Sequence, residues 1–422
     1  MSLGIIFQLS LVAILAFYVA WNLGANDVAN SMGTSVGSKA ISLKQALIIA
    51  GILEFTGAII FGHEVSATLA TKIANPDLFS DQPQLFVLGM VSVLIACGLW
   101  LQIATSKGLP VASSHAVVGA IAGFSWVAVG QNAVDWSNIG FICLGWLVTP
   151  IISAIIAAFF YNLLQNYLLN TSDSLTRLQE WIPWLSSSLV AIFSVIVLPR
   201  IWQENIFQSF PLPLHDLSLL VGGTGAISIS WFSWQQLEKA KQSHTEKRAA
   251  LEKIMAKFQV FSACFVAFAH GSNDVGNAIA PLAAIVYVFN YNTVPINGIN
   301  IPAWILILGG LGIVAGLAVQ GKNVITTIGE DIITLVPSSG FCAELATATT
   351  ILLASRIGLP VSTSHALVGS VVGIGILQKT QKVQWQTIKS VILAWVITLP
   401  AAAILGIISF SLLRLITLTN YQ

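Results

Sequence analysis

Two aspartates sit in otherwise apolar sequence, each flanked by asparagines. The first lies in Asn26-Asp27-Val28-Ala29-Asn30 and the second, 247 residues on, in Asn273-Asp274-Val275-Gly276-Asn277. An acid at the centre of a membrane-spanning helix costs about 2.5–3.5 kcal/mol on insertion scales, and a neighbouring cation or proton lowers that cost. Asn26, Asn30, Asn273 and Asn277 bring amide oxygens to the same places, and such oxygens suit a hard cation such as Na+. Asp27 and Asn30 are three residues apart, so they share a face where the segment is helical. The same asparagines could instead bond one packed helix to another. The doubling of the motif favours a site.

A second motif is also doubled. Gly108-Leu109-Pro110-Val111-Ala112-Ser113-Ser114-His115-Ala116 returns 250 residues later as Gly358-Leu359-Pro360-Val361-Ser362-Thr363-Ser364-His365-Ala366. Proline removes a backbone donor and disfavours helix in the residue before it, so each copy should break a helix. Ser113-Ser114 and Thr363-Ser364 then offer hydroxyls suited to N-capping the helix that resumes. Two helix N-termini at mid-membrane would present free N–H groups and partial positive charge, which bind an oxyanion without lysine. The plainer reading is a capped kink. An anion at the hydroxyls would be repelled by Asp27 and Asp274, so both motifs serve one site only with positive charge between them. Na+ or H+ supplies it. Cotransport follows, and the coupling is reciprocal.

Other polar residues carry less weight. His115 and His365 either meet the ligand or orient the broken helices through a backbone carbonyl. His270 has no counterpart in the first half. Glu54 and Glu344 are unmatched acids in apolar runs, suited to pairing with a neighbouring helix or relaying protons. Cys97, Cys143, Cys264 and Cys342 lack metal-type spacing and read as small buried hydrophobes. No phosphate-binding Gly-Lys-Ser/Thr loop is present, so ATP hydrolysis is excluded. Ser114-His115 is no nucleophile–base pair, because neighbours on a helix point apart. No residue is assigned a catalytic role, and the chain is not read as an enzyme.

The elements that must hold these residues are helices in a bilayer. Charged residues make up 8% of the chain and hydrophobic ones 56%, against about 25% charged in a soluble domain. No basic patch with aromatics suggests nucleic acid. Runs long enough to approach the ~20 residues of a spanning helix fall near 5–23, 46–62, 85–105, 110–130 and 139–165. Two follow near 187–202 and 216–234, and five more near 258–290, 302–320, 342–356, 360–377 and 390–413. The expectation is an all-α polytopic membrane protein with about 12 transmembrane segments, some broken or re-entrant. The first run is expected to stay as a spanning helix, since no Lys or Arg precedes it.

The hydrophilic stretch Glu238–Lys257 reads as a cytoplasmic connector. With alternating crossings, 14 of the 18 basic residues then fall inside. Only Lys72, Arg200, Arg356 and Arg414 fall outside, and both termini face outward. Five crossings per half is an odd number, so residues 1–165 and 258–422 should enter the membrane in opposite senses. They form an inverted-topology repeat joined by two connecting helices and the charged loop over 166–257. The repeat is broad: 11 of 20 positions are identical between 104–123 and 354–373. Matches continue at Val134/Val383, Trp136/Trp385, Ile139/Ile388, Trp146/Trp395 and Thr149/Thr398.

On Gly24-Ala25-Asn26-Asp27-Val28-Ala29-Asn30, Gly271-Ser272-Asn273-Asp274-Val275-Gly276-Asn277 and the two Pro-Val-x-Ser/Thr-Ser-His motifs, the chain resembles the inorganic phosphate transporter (PiT) family. The resemblance covers nearly all of the chain. It implies a secondary active symporter that takes up inorganic phosphate with a monovalent cation, Na+ or H+, as a homodimer in the bilayer. A chain without a long soluble domain fits a bacterial inner (plasma) membrane. Carried over by position, Asp27 and Asp274 with their asparagines would serve cation and phosphate. Ser113, Ser114, Thr363 and Ser364 would hold phosphate oxygens, and Na+ would lie at Asp27, Asn30, Asp274 and Asn277. Ala112 stands where the family has a hydroxyl, and Ser114 and Ser364 replace a threonine. These departures keep open a sulfate or other oxyanion permease. A channel, or a membrane scaffold or receptor, is the reading from another class.

Overall fold

The computed structural model describes residues 3–107, 111–202, 213–242, 246–328, 335–378 and 384–419. Gly108-Leu109-Pro110, Lys379, Lys382 and Val383 therefore lie outside the described residues. The chain is an all-helical polytopic membrane protein. Its five leading helices are α1 (Leu3–Gly37), α2 (Leu43–Thr71), α3 (Pro83–Ser106), α4 (Ser113–Val129) and α5 (Trp136–Leu164). Then come α6 (Ser174–Ile196), the short α7 (Leu198–Trp202) and α8 (Leu214–Lys241). The last five are α9 (Lys247–Tyr291), α10 (Ala303–Ile328), α11 (Pro337–Arg356), α12 (Thr363–Leu377) and α13 (Trp385–Thr419). Among the described residues the one β feature is an isolated bridge between Ala74 and Val134.

Nine of these helices are long and apolar enough to cross a bilayer. The other three long elements, α4, α11 and α12, are shorter or more polar and sit among their neighbours. Nearly every residue of α11 is buried, including Glu344, Thr347 and Ser338. A helix enclosed by protein needs no lipid-compatible surface, so α11 can be polar; α4 and α12 are apolar but short. The lipid side is equally visible. Leu147, Ile151 and Ile155 lie one turn apart on α5 and are each more than half exposed, an apolar stripe that water would not tolerate.

Two elements differ from the sequence expectation. Helix α1 does not stop after the first apolar run but continues through the first Asn-Asp motif to Gly37. The charged connector does not end before the helix that follows it: α8 ends at Lys241, and residues from Lys247 onward form the first turns of the 45-residue α9.

Contacts between the halves come in matched pairs. Helix α1 packs on α10 and α2 on α9, while α4 packs on α13 and α12 on α5. Close approach at glycine makes this possible. A Cβ on Gly24 would fall 1.9 Å from the Ile313 carbonyl oxygen, and one on Gly271 would fall 2.0 Å from that of Glu54. Gly119 and Gly369 approach the carbonyls of Leu399 and Pro150 in the same way. Small residues let helix backbones meet directly where lipid gives no hydrophobic drive to association.

Candidate functional site

The two broken-helix motifs meet at their histidines. His115 Nδ1 lies 3.0 Å from the Trp395 carbonyl, and His365 Nδ1 lies 3.0 Å from the Trp146 carbonyl. Pro150 has no N–H to offer the Trp146 carbonyl four residues back, so that oxygen is free for His365. Each ring also lies against the tryptophan of its own half: His115 stacks on Trp146 at 3.7 Å, and His365 lies tilted against Trp395 at 3.6 Å. The imidazoles are 4.9 Å apart, edge to face. Of the two roles the sequence allows, orientation through a carbonyl is the one the geometry shows. The start of α12 is fixed further by the Trp146 indole, which donates to Pro360 O at 2.9 Å.

The capping is shifted from expectation by one residue. The N-cap positions are Ala112 and Ser362; Ser113-Ser114 and Thr363-Ser364 are the first two residues of α4 and α12. Ser362 accepts from His365 N at 3.3 Å. Ala112 has no acceptor, so the first turn of α4 has no side-chain cap. Both predicted hydroxyl pairs still stand at helix N-termini, where N–H groups lack intrahelical partners.

Both Asn-Asp motifs are helical and buried, with Asp27 and Asp274 only 2% and 1% exposed. Their carboxylates converge: oxygens of Asp27 and Asp274 and a ring nitrogen of His270 all lie within 4.8 Å of one another. Asn30 Nδ2 donates to Asp27 Oδ1 at 3.1 Å. Thr363 Oγ1 donates to Asp274 Oδ2 at 3.0 Å, and Asn277 Nδ2 donates across the halves to Ser113 Oγ at 3.1 Å. Asp27 Oδ2, Asp274 Oδ1, Asn277 Oδ1 and Ser114 Oγ remain buried without a partner. Buried polar atoms are normally satisfied. Three unsatisfied acceptor oxygens drawn from both halves are the donor set a hard cation takes.

Asn26 and Asn273 do something else. Asn26 Nδ2 donates to Thr105 Oγ1 at 3.0 Å, and Asn273 Nδ2 donates to Ser355 Oγ at 3.0 Å. Asn273 also spans the second break, donating to Leu359 O and accepting from Val361 N, both at 3.2 Å. These two asparagines bind the broken segments to the aspartate helices. Ser364 Oγ is paired with Ser362 Oγ at 2.8 Å.

Sequence reasoning underweighted His270 and Glu54. His270 Nε2 is 2.9 Å from Asp274 Oδ2, and its Nδ1 is 3.2 Å from Glu54 Oε1, all essentially fully buried. Ser31 Oγ also donates to Glu54 Oε1 at 2.8 Å. The His270–Asp274 spacing of four, one helix face, was the signal available. Glu344 is held separately, with Oε1 accepting from Thr34 and Ser35 at 2.6 Å and from Gln259 at 3.0 Å, and Oε2 from Ser262 at 2.8 Å.

A family model described as "Phosphate transporter family" matches residues 23–406. A Haemophilus influenzae protein provisionally named a phosphate permease is 39% identical over 408 residues, 96% of each chain. The Arabidopsis thaliana "Inorganic phosphate transporter 2-1, chloroplastic" is 37% identical over 417 residues, 93% of this chain and 70% of that protein. A solved structure named "The sodium-dependent phosphate transporter" superposes with a TM-score of 0.87 at 36% identity, covering 97% of this chain and 99% of the other. These are transporters and not enzymes, and the chain belongs to the phosphate transporter family.

Proposed function

We propose that the chain is a Na+-coupled symporter that takes up inorganic phosphate by alternating access. One observation carries the reading: carboxylate oxygens of Asp27 and Asp274 converge from both halves, and Asp27, Asp274 and Asn277 each keep a buried, unpartnered oxygen beside the N-termini of α4 and α12. Na+ bound among those oxygens offsets the carboxylates' charge. Phosphate then lies against Ser113, Ser114, Thr363, Ser364 and the helix N-termini, which favour an oxyanion. Each solute makes the other's binding favourable, so they move together. Na+ is preferred over H+ because the donor set is oxygen and the similar solved structure is named as sodium-dependent. The matched contacts between halves and the inside excess of Lys and Arg support an inverted pair of repeats, which lets one site face either side in turn. On the same reading the protein is a homodimer in the plasma membrane with both termini outside.

Radiolabelled phosphate uptake into proteoliposomes tests this. An inward Na+ gradient should drive accumulation above equilibrium, an inward pH gradient alone should not, and sulfate should not accumulate. Accumulation on the pH gradient alone would reassign the coupling ion. Sulfate uptake without phosphate uptake would reassign the substrate. No accumulation of either would end the symporter reading.

A further inference from the structure

Away from the buried carboxylates, a pocket of about 130 Å3 is lined by Phe61, Glu64, Ile196, Pro199, Arg200 and Arg356. It joins the far end of α2, the α6–α7 turn and the last residue of α11. Glu64 lies ten residues beyond Glu54 on α2, about 15 Å along the helix. Arg200 Nη2 pairs with Glu64 Oε1 at 3.0 Å. Arg356 has no carboxylate within ion-pair distance among the described residues; its Nη1 donates to Val195 O at 3.2 Å. Among the described residues, two guanidinium groups against one carboxylate leave the pocket's lining net positive.

The pocket is also close to the site in contacts. Arg356 follows Ser355, whose hydroxyl accepts from Asn273, the neighbour of Asp274. Phe61, at the pocket, packs edge to face on Phe268 at 5.9 Å, and Phe268 lies two residues before His270. This ring contact joins the pocket's lining to the helix that carries His270 and Asp274. The charge pattern of the sequence puts Lys72, Arg200 and Arg356 on one side, the outside, and the structure brings both arginines to one pocket.

We propose that Arg200 and Arg356 form an outer capture site for a phosphate-type oxyanion, ahead of the buried carboxylate site; this rests on the phosphate symport reading above. Guanidinium forks match phosphate oxygens bidentately. A basic, low-dielectric mouth raises the local anion concentration and the rate of capture, and added salt weakens it. The buried site needs no arginine for recognition, so the pair acts on arrival and not on turnover. The same chemistry would hold the phosphate of an anionic lipid headgroup, and the test separates the two sources.

Wild type and the Arg200→Gln/Arg356→Gln double variant are reconstituted in phosphatidylcholine, with and without phosphatidylglycerol. Initial phosphate uptake is measured under a fixed Na+ gradient. Capture of free phosphate predicts a KM raised about 3- to 10-fold with Vmax within about twofold, the same in both lipids, and loss of the wild-type sensitivity of KM to choline chloride. Glu64→Gln, which removes the carboxylate paired with Arg200, should lower KM, and Arg356→Lys should recover part of the loss. A wild-type KM that depends on phosphatidylglycerol, with that dependence lost in the double variant, assigns the pocket to the lipid headgroup. KM, salt response and lipid response all equal to wild type overturn the capture site. Wild type that takes up no phosphate removes the transport reading itself, and the capture site with it.

Discussion

Asp27→Asn and Asp274→Asn should each lower Na+-driven phosphate uptake by about 10- to 100-fold, taking the lost charge-assisted contact to Na+ as worth ~1.5–3 kcal/mol, with phosphate binding weakened in turn through the coupling. The substitution is nearly isosteric and removes charge from mid-membrane, so insertion and yield should not fall. The two variants should differ in one respect. Asp27 Oδ2 has no partner and Oδ1 accepts from Asn30, so Asp27→Asn removes an uncompensated oxygen and should leave the melting temperature in Na+-free buffer unchanged or raised. Asp274 Oδ2 holds both Thr363 and His270, so Asp274→Asn should lower it. A ligand that binds the folded state stabilises it by RT ln(1 + [L]/Kd). Wild type should therefore melt higher in Na+ than in choline, and both variants should lose that difference. A variant that keeps normal uptake and normal Na+ dependence would remove its aspartate from the site.

His270→Ala should be the most damaging single change to stability. The imidazole stands between Glu54 and Asp274, with both ring nitrogens within ion-pair reach of carboxylate oxygen. A histidine can donate from both nitrogens only as the imidazolium. Removing one partner from a buried ionic cluster typically costs about 3–5 kcal/mol, because the remaining charge is left uncompensated. His270→Ala should lower the melting temperature by several degrees and abolish uptake. Adding Glu54→Gln should recover most of the stability, since one of the stranded charges is gone, but not the uptake. If the double variant is no more stable than His270→Ala, the residues are not coupled in this way.

Much of this arrangement was legible before the fold. The low charge and the apolar runs give the membrane class, and the five–two–five spacing of runs matches α1–α5, α6 with α8, and α9–α13. The pairing of Asp27 with Asp274 and of Ser113 with Thr363 follows from the doubled motifs. What escaped did so for physical reasons. Repeat logic favours residues with a counterpart, and His270 has none; its partner Glu54 is 216 residues away on another helix. Asn26 and Asn273 read as ligands because their motif neighbours do, but on a helix adjacent residues face different ways. Only packing shows that they turn toward Thr105 and Ser355. The run at 342–356 marks α11, but its polar start from Pro337 does not read as helix in lipid, because protein and not lipid surrounds it.

The central claim is a coupling between two binding events, and it is measured most directly as binding. Equilibrium dialysis of radiolabelled phosphate against the purified protein should give an affinity about tenfold or more tighter in sodium chloride than in choline chloride, within the usual 5- to 150-fold range of such couplings. Phosphate should tighten Na+ binding by the same factor. Equal phosphate affinity in the two salts would contradict the account, because the carboxylates of Asp27 and Asp274 would then face the anion with nothing between them.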